Sequence, residues 1–312
     1  MFFISAFLKD VLEFLHTFIG NYGWSIVVFT LLIRLVLLPL DIKSKKSMKR
    51  MTDLQPKLAV LQKKYANDKD KLNQKMSELY RKEHVNPMSG CFPMLLSLPI
   101  LFCMFDAMRV LANEYIVQMI LDMKDGVFNP DAMQSWLWIK NVFMPDSFMS
   151  TIVPAVGDQL QSISVVDGTL LTQENLDMVR EFLTTDAYRE IAASFGADGS
   201  YIYQAPVLMW TIAIPSQFNG YFLLPLLAGV SQFLSASLLT PQTAAVSDQQ
   251  KSTNSMMKWF FPIFSVWICA TSNSAFSLYW VAVNLIQMIQ QYVLNKVLDK
   301  KPTALPEEVS KP

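Results

Sequence analysis

The sequence predicts an all-α integral membrane protein with five transmembrane helices, an N-terminal amphipathic interfacial helix and a cytoplasmic helical hairpin. Three observations support this fold class. The 312-residue chain is 52% hydrophobic and 17% charged, whereas a soluble domain is about 45–50% apolar. Long apolar runs recur along the chain, and basic residues collect in one of the segments between them. Lipid is therefore the expected solvent for much of the chain.

The elements follow in order. Residues 1–19 combine apolar residues at helical spacing with a polar face that includes Lys9 and Glu13, which is typical of an interfacial helix and not of a signal peptide. Each later apolar run approaches the roughly 20 residues that a helix needs to cross a bilayer. The predicted segments are span 1 (20–41), the cytoplasmic hairpin (42–91), span 2 (92–112), an extracytoplasmic segment (113–219), span 3 (220–239), a cytoplasmic loop (240–256), span 4 (257–273), span 5 (274–295) and a cytoplasmic tail (296–312).

The orientation follows from Lys and Arg, which are retained on the cytoplasmic side of membranes. Residues 41–91 contain 13 of them, whereas residues 109–219 contain 5 together with 13 acidic residues. The first segment is therefore predicted to be cytoplasmic and the second extracytoplasmic. Five spans then place the N-terminus outside and the basic tail inside, which satisfies the same rule.

Helices are also predicted outside the spans. In the cytoplasmic segment, two apolar stripes separated by residues 67–69 predict a helix pair, with a kink at Pro56. A solvated hairpin and a docking surface both explain its charges. In the extracytoplasmic segment, helices are predicted at 173–183 and 187–195.

Arg34 lies inside the first predicted span, where a guanidinium costs at least about 2.5 to 3.5 kcal/mol to insert. One interpretation is that its side chain extends to the cytoplasmic surface near Asp41, roughly 10 Å along the helix. The other is that Arg34 lines a water-containing cavity open to the cytoplasm, where its charge attracts an acidic or polar segment. The sequence leaves both interpretations open.

Polar side chains in other spans are candidates to line the same cavity. The preferred candidates are Ser97, Gln232, Asn284 and Gln287, and the full set is Ser97 in span 2, Ser231, Gln232 and Ser235 in span 3, and Asn284, Gln287, Gln290 and Gln291 in span 5. Asn284, Gln287 and Gln291 follow i, i+3, i+7 spacing, which places them on one helix face. Polar residues also serve as packing contacts between membrane helices, so this second role stays open.

Catalytic chemistry has little support in the sequence. His16 and His84 form no metal-binding motif, and no nucleophile elbow or Gly-rich phosphate loop is present. The three cysteines lack the paired spacing of a metal site or a disulfide framework. We therefore expect neither an enzyme nor a cofactor, and the net charge of zero does not indicate DNA as a partner.

Several motifs follow one another in a fixed order. Arg34 comes after Leu31, Leu32 and Ile33 in the first apolar run. The later motifs are LQPKLAVLQKKY at 54–65, NPMSGCFP at 86–93, LPILF at 98–102, LLPLLAGVSQFLS at 223–235 and SLYWVAVNLIQMIQQYVLNK at 277–296. As a set they resemble the YidC family of membrane protein insertases, in its bacterial five-span core type.

This resemblance implies an insertase and chaperone that passes the hydrophobic segments of nascent membrane proteins into the lipid of the bacterial cell membrane. It implies a hydrated groove, open to the cytoplasm and the lipid, with Arg34 as its central positive charge. Ribosomes, targeting factors and the secretion channel would dock on the cytoplasmic hairpin. The sequence departs from the family pattern in its long segment 113–219 and its short basic tail.

A solute transporter with an arginine-lined polar cavity is the alternative function. Arg34 and the polar residues of the other spans suit an anionic solute as well as a polypeptide. The five spans, however, show no paired halves with inverted symmetry, which many transporters have. The insertase is therefore the preferred interpretation.

Overall fold

The computed structural model describes residues 3–83, 92–160, 163–207, 210–239 and 248–298. Its fold is mostly helical, as predicted. The elements are α1 (Phe3–Ile19), α2 (Tyr22–Asp53), α3 (Gln55–Lys64), α4 (Lys69–Lys82), α5 (Phe92–Lys124), a 3-10 turn (Pro130–Ala132), α6 (Gln173–Phe182), α7 (Asp186–Ala193), β1 (Tyr201–Val207), β2 (Trp210–Pro215), α8 (Leu223–Leu239), α9 (Asp248–Thr271) and α10 (Ser274–Leu298).

The prediction of an all-α fold is wrong in one respect, because β1 and β2 form an antiparallel hairpin in the segment 113–219. Gln204 pairs with Ala213 and Ala205 with Ile212. A strand with one buried face shows alternating apolar and polar residues. The sequence of β1, YIYQAPV, lacks this alternation, so its pattern gives no strand signal.

Helix α10 is the central element, since it contacts α2, α5, α8 and α9. Helices α8 and α9 pack closely at Gly229, where an added Cβ would lie 2.5 Å from Val266 Cγ2. Helix α1 lies across α2 and α5 and buries Leu12. Lys9 of α1 is 2.8 Å from carboxylates of both Glu13 and Glu114. The predicted polar face of α1 therefore includes a residue that points into the protein.

Among the described residues, one helix is long and apolar enough to cross a membrane, namely α2. Only 22% of its apolar window is buried, whereas a core helix of a soluble protein would be mostly buried. Leu35 and Val36 are 54% and 78% exposed. Two further apolar helices, Leu223–Leu238 and Lys258–Thr271, are shorter. The count of five spans stays a prediction.

The helix pair α3–α4 follows α2 directly. Helix α2 continues without a break to Asp53, and α3 starts at Gln55 with Pro56 in its first turn. Proline is tolerated there because the first helical N–H groups have no partner within the helix. The predicted kink at Pro56 is therefore wrong, and the chain instead changes helix at Leu54.

Two threonines set the starts of the short helices in the segment 113–219. The hydroxyl of Thr172 accepts a hydrogen bond from Asn175 N at 3.2 Å, and that of Thr185 accepts one from Tyr188 N at 3.2 Å. Such N-caps satisfy backbone donors at the first turn. Helices α6 and α7 accordingly begin at Gln173 and Asp186.

A polar cluster joins this segment to the bundle, and we call residues 140–146 together with Asn219 the clamp. Asn219 Oδ1 accepts from Asn141 N at 2.8 Å, and Asn219 Nδ2 donates to the carbonyls of Asn141, Met144 and Pro145 at 2.9–3.1 Å. Asn141 Nδ2 donates to Ile152 O at 2.9 Å. Both asparagines are fully buried.

The clamp binds the first turns of two bundle helices. The Asp146 carboxylate accepts from Phe222 N at 3.2 Å and from Leu224 N at 2.6 Å, which caps α8. Ser274 N donates to Met144 O at 3.0 Å, and Ala275 N to Val142 O at 2.7 Å, at the start of α10. A Cβ at residue 220 would collide with Asp146 Oδ1, so the close approach requires glycine there.

Candidate functional site

Three polar side chains on α10 each bond to a different partner on a neighbouring helix. Gln287 Oε1 accepts from Arg34 Nη2 at 3.0 Å, and Asn284 Nδ2 donates to Ser231 Oγ at 3.2 Å. Gln290 Nε2 donates to Asp41 Oδ2 at 2.8 Å. We call Arg34, Asn284, Gln287 and Gln290 the polar row. It runs along the contacts of α10 with α2 and α8.

The charge of Arg34 is held by a neutral amide. Within the part of the chain that the structure describes, Arg34 takes part in no salt bridge. Its hydrogen bond to Gln287 turns the guanidinium toward α10. An amide oxygen fixes the geometry of the guanidinium but leaves its net charge in place. The positive charge is therefore available to a further partner.

The five predicted lining residues divide into three groups. Arg34 and Gln287 are in direct contact, and Asn284 lies one helical turn from Gln287, where it bonds to Ser231 of α8. Gln232 is half-buried on α8, but among the described residues no hydrogen bond joins it to the polar row. The side chain of Ser97 lies outside the described residues.

Asp41 and Gln290 also belong to the arrangement. Gln290 is among the polar residues that the sequence offers as lining candidates, whereas Asp41 is not. Asp41 follows Arg34 by seven residues, so both lie on nearly the same face of α2. Gln290 follows Gln287 by three residues on α10. The heptad separation of the only two charged residues between 22 and 42 is the signal that would have found Asp41.

Two buried polar atoms in the C-terminal halves of α8 and α10 have no hydrogen-bond partner among the described residues. They are Gln291 Oε1 on α10 and Ser237 Oγ on α8. Gln291 shares a helix face with Asn284 and Gln287 by its spacing. A buried polar group without a partner costs about 1–3 kcal/mol. The region of the polar row thus has unused hydrogen-bonding capacity.

Apolar surface surrounds the polar row. Large apolar side chains are exposed on α2, α8 and α10, the same helices that contribute the polar contacts. They include Leu31, Leu35, Val36, Leu227, Val230, Leu234, Leu285 and Ile289. Among the described residues, no group of three or more His, Cys, Asp or Glu side chains could hold a metal ion. The arrangement suits binding of a polar or acidic group beside an apolar one.

The model of a protein family described as 60Kd inner membrane protein matches residues 14–301. A membrane protein insertase YidC of Fusobacterium nucleatum subsp. nucleatum is 30% identical over 300 residues, which are 95% of this chain and 98% of the relative. The chain belongs to the YidC family. Its exposed apolar helix α2 agrees with membership of a family of inner membrane proteins.

Other YidC family members differ in length. The membrane protein insertase YidC of Campylobacter jejuni subsp. jejuni is 30% identical over 299 residues, which are 96% of this chain but 39% of the relative. A crystal structure of an active YidC insertase with the first transmembrane domain resolved is similar over 94% of this chain and 47% of that one. Its identity is 20% and its TM-score 0.46.

Proposed function

We propose that this chain is a membrane protein insertase and chaperone in which the polar row receives the hydrophilic part of a substrate. The observation that carries the proposal is the hydrogen bond between Arg34 and Gln287, which positions a charge that has no ion-pair partner among the described residues. Its YidC relatives are named for this activity. The groove is hydrated and opens to the cytoplasm and the lipid.

The polar row performs the first step, which is capture of a polar segment. Coulomb attraction rises as the effective dielectric falls, so Arg34 attracts a substrate carboxylate more strongly beside apolar helices than it would in bulk water. The amides of Asn284, Gln287 and Gln290 offer both donors and acceptors to a polypeptide backbone. A segment bound there replaces its hydrogen bonds to water with hydrogen bonds to the protein. Its transfer out of the cytoplasm therefore costs less free energy.

The exposed apolar faces perform the second step. An apolar substrate segment that lies beside Leu35 or Val36 meets lipid directly, because these side chains are exposed on α2. Burial of apolar surface contributes about 25 cal/mol per Å², so transfer of a spanning segment into lipid is strongly favourable. This transfer needs no nucleotide and no cofactor, and no covalent bond changes, so the chain is not an enzyme.

The proposal includes a topology and partners. Five spans cross the bacterial cell membrane, with the N-terminus outside and the C-terminus in the cytoplasm, as the basic residues indicate. The substrates are nascent membrane proteins, and the surrounding lipids receive them. Ribosomes, targeting factors or the secretion channel bind the basic hairpin of α3 and α4. This hairpin has Lys57 paired with Glu83 at 2.5 Å and further lysines that stay exposed.

Reconstitution tests the proposal. Purified wild-type protein and Arg34→Ala are placed in liposomes, and insertion of a single-span substrate with an acidic translocated segment is measured by protease protection. Arg34→Ala should lose about tenfold or more in insertion rate, which corresponds to 1.4 kcal/mol. Arg34→Lys keeps the charge and should retain part of the activity.

The matched control is Arg180→Ala, which removes one arginine from the helix α6 outside the bundle and breaks a contact with Asp177. It should insert the substrate at the wild-type rate. Equal insertion by wild type and Arg34→Ala would show that Arg34 only extends to the membrane surface. Solute flux through wild-type vesicles without any insertion would assign the chain to transport instead.

A further inference from the structure

In the β1–β2 hairpin, β1 is exposed on both faces, whereas residues 212–214 of β2 are half-buried. Tyr201, Ile202 and Tyr203 of β1 are exposed by 47%, 68% and 54%. A register shift interrupts the pairing between Tyr201 and Tyr203, but beyond it the adjacent residues Tyr203 and Gln204 are both exposed, and adjacent side chains on a strand point to opposite faces. The rest of the described chain therefore covers neither face of β1 at these positions. An isolated two-stranded hairpin is marginally stable in water at best. Cover for these apolar side chains has to come from outside the described residues.

Charge is absent from the sequence around the hairpin. Residues 199–247 contain no Asp, Glu, Lys, Arg or His, and this run is bounded by Asp198 and Asp248. The rest of the segment 113–219 is rich in acidic residues. A surface that binds a nucleic acid is usually strongly positive. An uncharged surface rich in Tyr and Ile is typical of the lipid interface, where aromatic rings are enriched.

The hairpin is also continuous with surface that faces lipid in the proposed topology. A short connection leads from β2 to α8, and Tyr221 in it is 58% exposed. At the start of α8, Leu223, Leu226 and Leu227 are exposed as well. The clamp fixes this connection, since Asp146 binds Phe222 N and Leu224 N. The last residue of β2, Pro215, precedes the first residue of α8, Leu223, by eight positions, so the hairpin lies close in the chain to the end of α8 that enters the bilayer in the proposed topology.

We propose that the β1–β2 hairpin lies in the outer lipid interface, with Tyr201, Ile202 and Tyr203 among the headgroups and the upper acyl chains. Its partner is the lipid surface itself. Each strand of a two-stranded sheet leaves one edge of N–H and C=O groups unpaired, and such groups are not tolerated in hydrocarbon. The hairpin therefore stays shallow. Because it has no charge, zwitterionic lipid is sufficient to bind it.

The test measures depth in the membrane. A small environment-sensitive fluorescent amino acid is incorporated at position 202 of the full-length protein, in phosphatidylcholine nanodiscs that hold one copy each. The matched control is position 186 on α7, where the Asp186 side chain is 97% exposed. Emission at position 202 should shift to shorter wavelength. Shallow nitroxide-labelled lipids should quench it at least twofold more than deep ones, and position 186 should not be quenched.

Three outcomes would overturn the proposal. Emission at position 202 equal to that at position 186 would place the hairpin in water. A shift to shorter wavelength without quenching by lipid nitroxides would show that protein covers the hairpin, and stronger quenching by deep labels would place it in the hydrocarbon. The variant Tyr203→Asp should reduce quenching at position 202 severalfold, while Arg34-dependent insertion continues, so failure here is separate from failure of the insertase proposal.

Discussion

The clamp and the polar row are both polar clusters in an apolar molecule, but their hydrogen bonds differ. In the clamp, the side chain of Asn219 alone makes four hydrogen bonds, and Asp146 accepts from two backbone N–H groups and from Trp138 Nε1. In the polar row, the hydrogen bonds that join the helices are single ones. The charged member of the polar row, Arg34, has the neutral amide of Gln287 as its hydrogen-bond partner.

This difference separates a structural role from a binding role. A cluster whose donors and acceptors are satisfied rigidifies a protein and has little affinity left for a ligand. A cluster with one bond per side chain and an arginine that has no salt bridge among the described residues keeps affinity for a new partner. The clamp should therefore control stability, and the polar row should control activity. The four predictions below test this division from the largest expected effect to the smallest.

Removal of the clamp amide should have the largest effect on stability. Asn219→Ala leaves the buried Asn141 N–H and three carbonyls without their partner. We expect a loss of about 2–4 kcal/mol in the free energy of unfolding, measured by denaturant titration in detergent. Asn295→Ala, at an exposed position on α10, is the control and should change stability by less than about 0.5 kcal/mol. Equal effects of both variants would contradict a structural role for the clamp.

An added carboxylate in the polar row should reduce activity without loss of stability. Gln287→Glu keeps the size of the side chain and places a carboxylate beside the Arg34 guanidinium. The negative charge then neutralises the positive charge of the groove. We expect about a tenfold lower insertion rate for a substrate with an acidic segment, which is 1.4 kcal/mol, and an unchanged or higher unfolding free energy. If Gln287 is only a packing contact, Gln287→Glu will insert the substrate at the wild-type rate.

The contact between Asp41 and Gln290 should show a smaller, pairwise effect. A neutral or charge-assisted hydrogen bond contributes about 0.5–3 kcal/mol, and the cycle of Asp41→Asn, Gln290→Leu and the double variant isolates the interaction. We expect a coupling free energy of about 1 kcal/mol in unfolding. Additive single effects would show that the 2.8 Å contact does not contribute to stability.

The smallest effect should come from His16, which stacks on Tyr22 with ring centroids 3.8 Å apart. Burial lowers the pKa of His16 below its ordinary value of 6.5. The unfolded chain then binds this proton more readily than the folded one, so stability falls as the pH drops below about 6.5. His16→Gln should remove this component. The difference between the two stability profiles from pH 5 to 8 measures it, and parallel profiles would contradict it.

Periodicity and charge predicted much of the polar row. The i, i+3, i+7 spacing placed Asn284, Gln287 and Gln291 on one face, and the cost of a buried guanidinium identified Arg34. The pairing of Arg34 with Gln287 could not be predicted, because spacing fixes a face of one helix and not the rotation of its neighbour. Ser231 and Gln232 show the same limit, because both were candidates and the sequence could not tell that Asn284 bonds to the serine.

The segment 113–219 was less predictable. Helices α6 and α7 have threonine caps and apolar stripes, which local pattern detects. The clamp depends on contacts between residues 74 to 78 positions apart in the chain, and no local pattern reports such contacts. The strands β1 and β2 were missed because both faces of β1 are exposed, which removes the alternation that a buried face imposes.

The clamp also has a mechanical consequence. It holds the first turns of α8 and α10 through one short loop, so the two helices cannot separate at that end. Any widening between them is then a rotation about the clamped end. Displacement grows with distance from the pivot, and the far end of α10 lies roughly 35 Å away at 1.5 Å per residue. A tilt of a few degrees would move that end by about 2 Å, whereas the distance between α8 and α10 at the clamped end would not change.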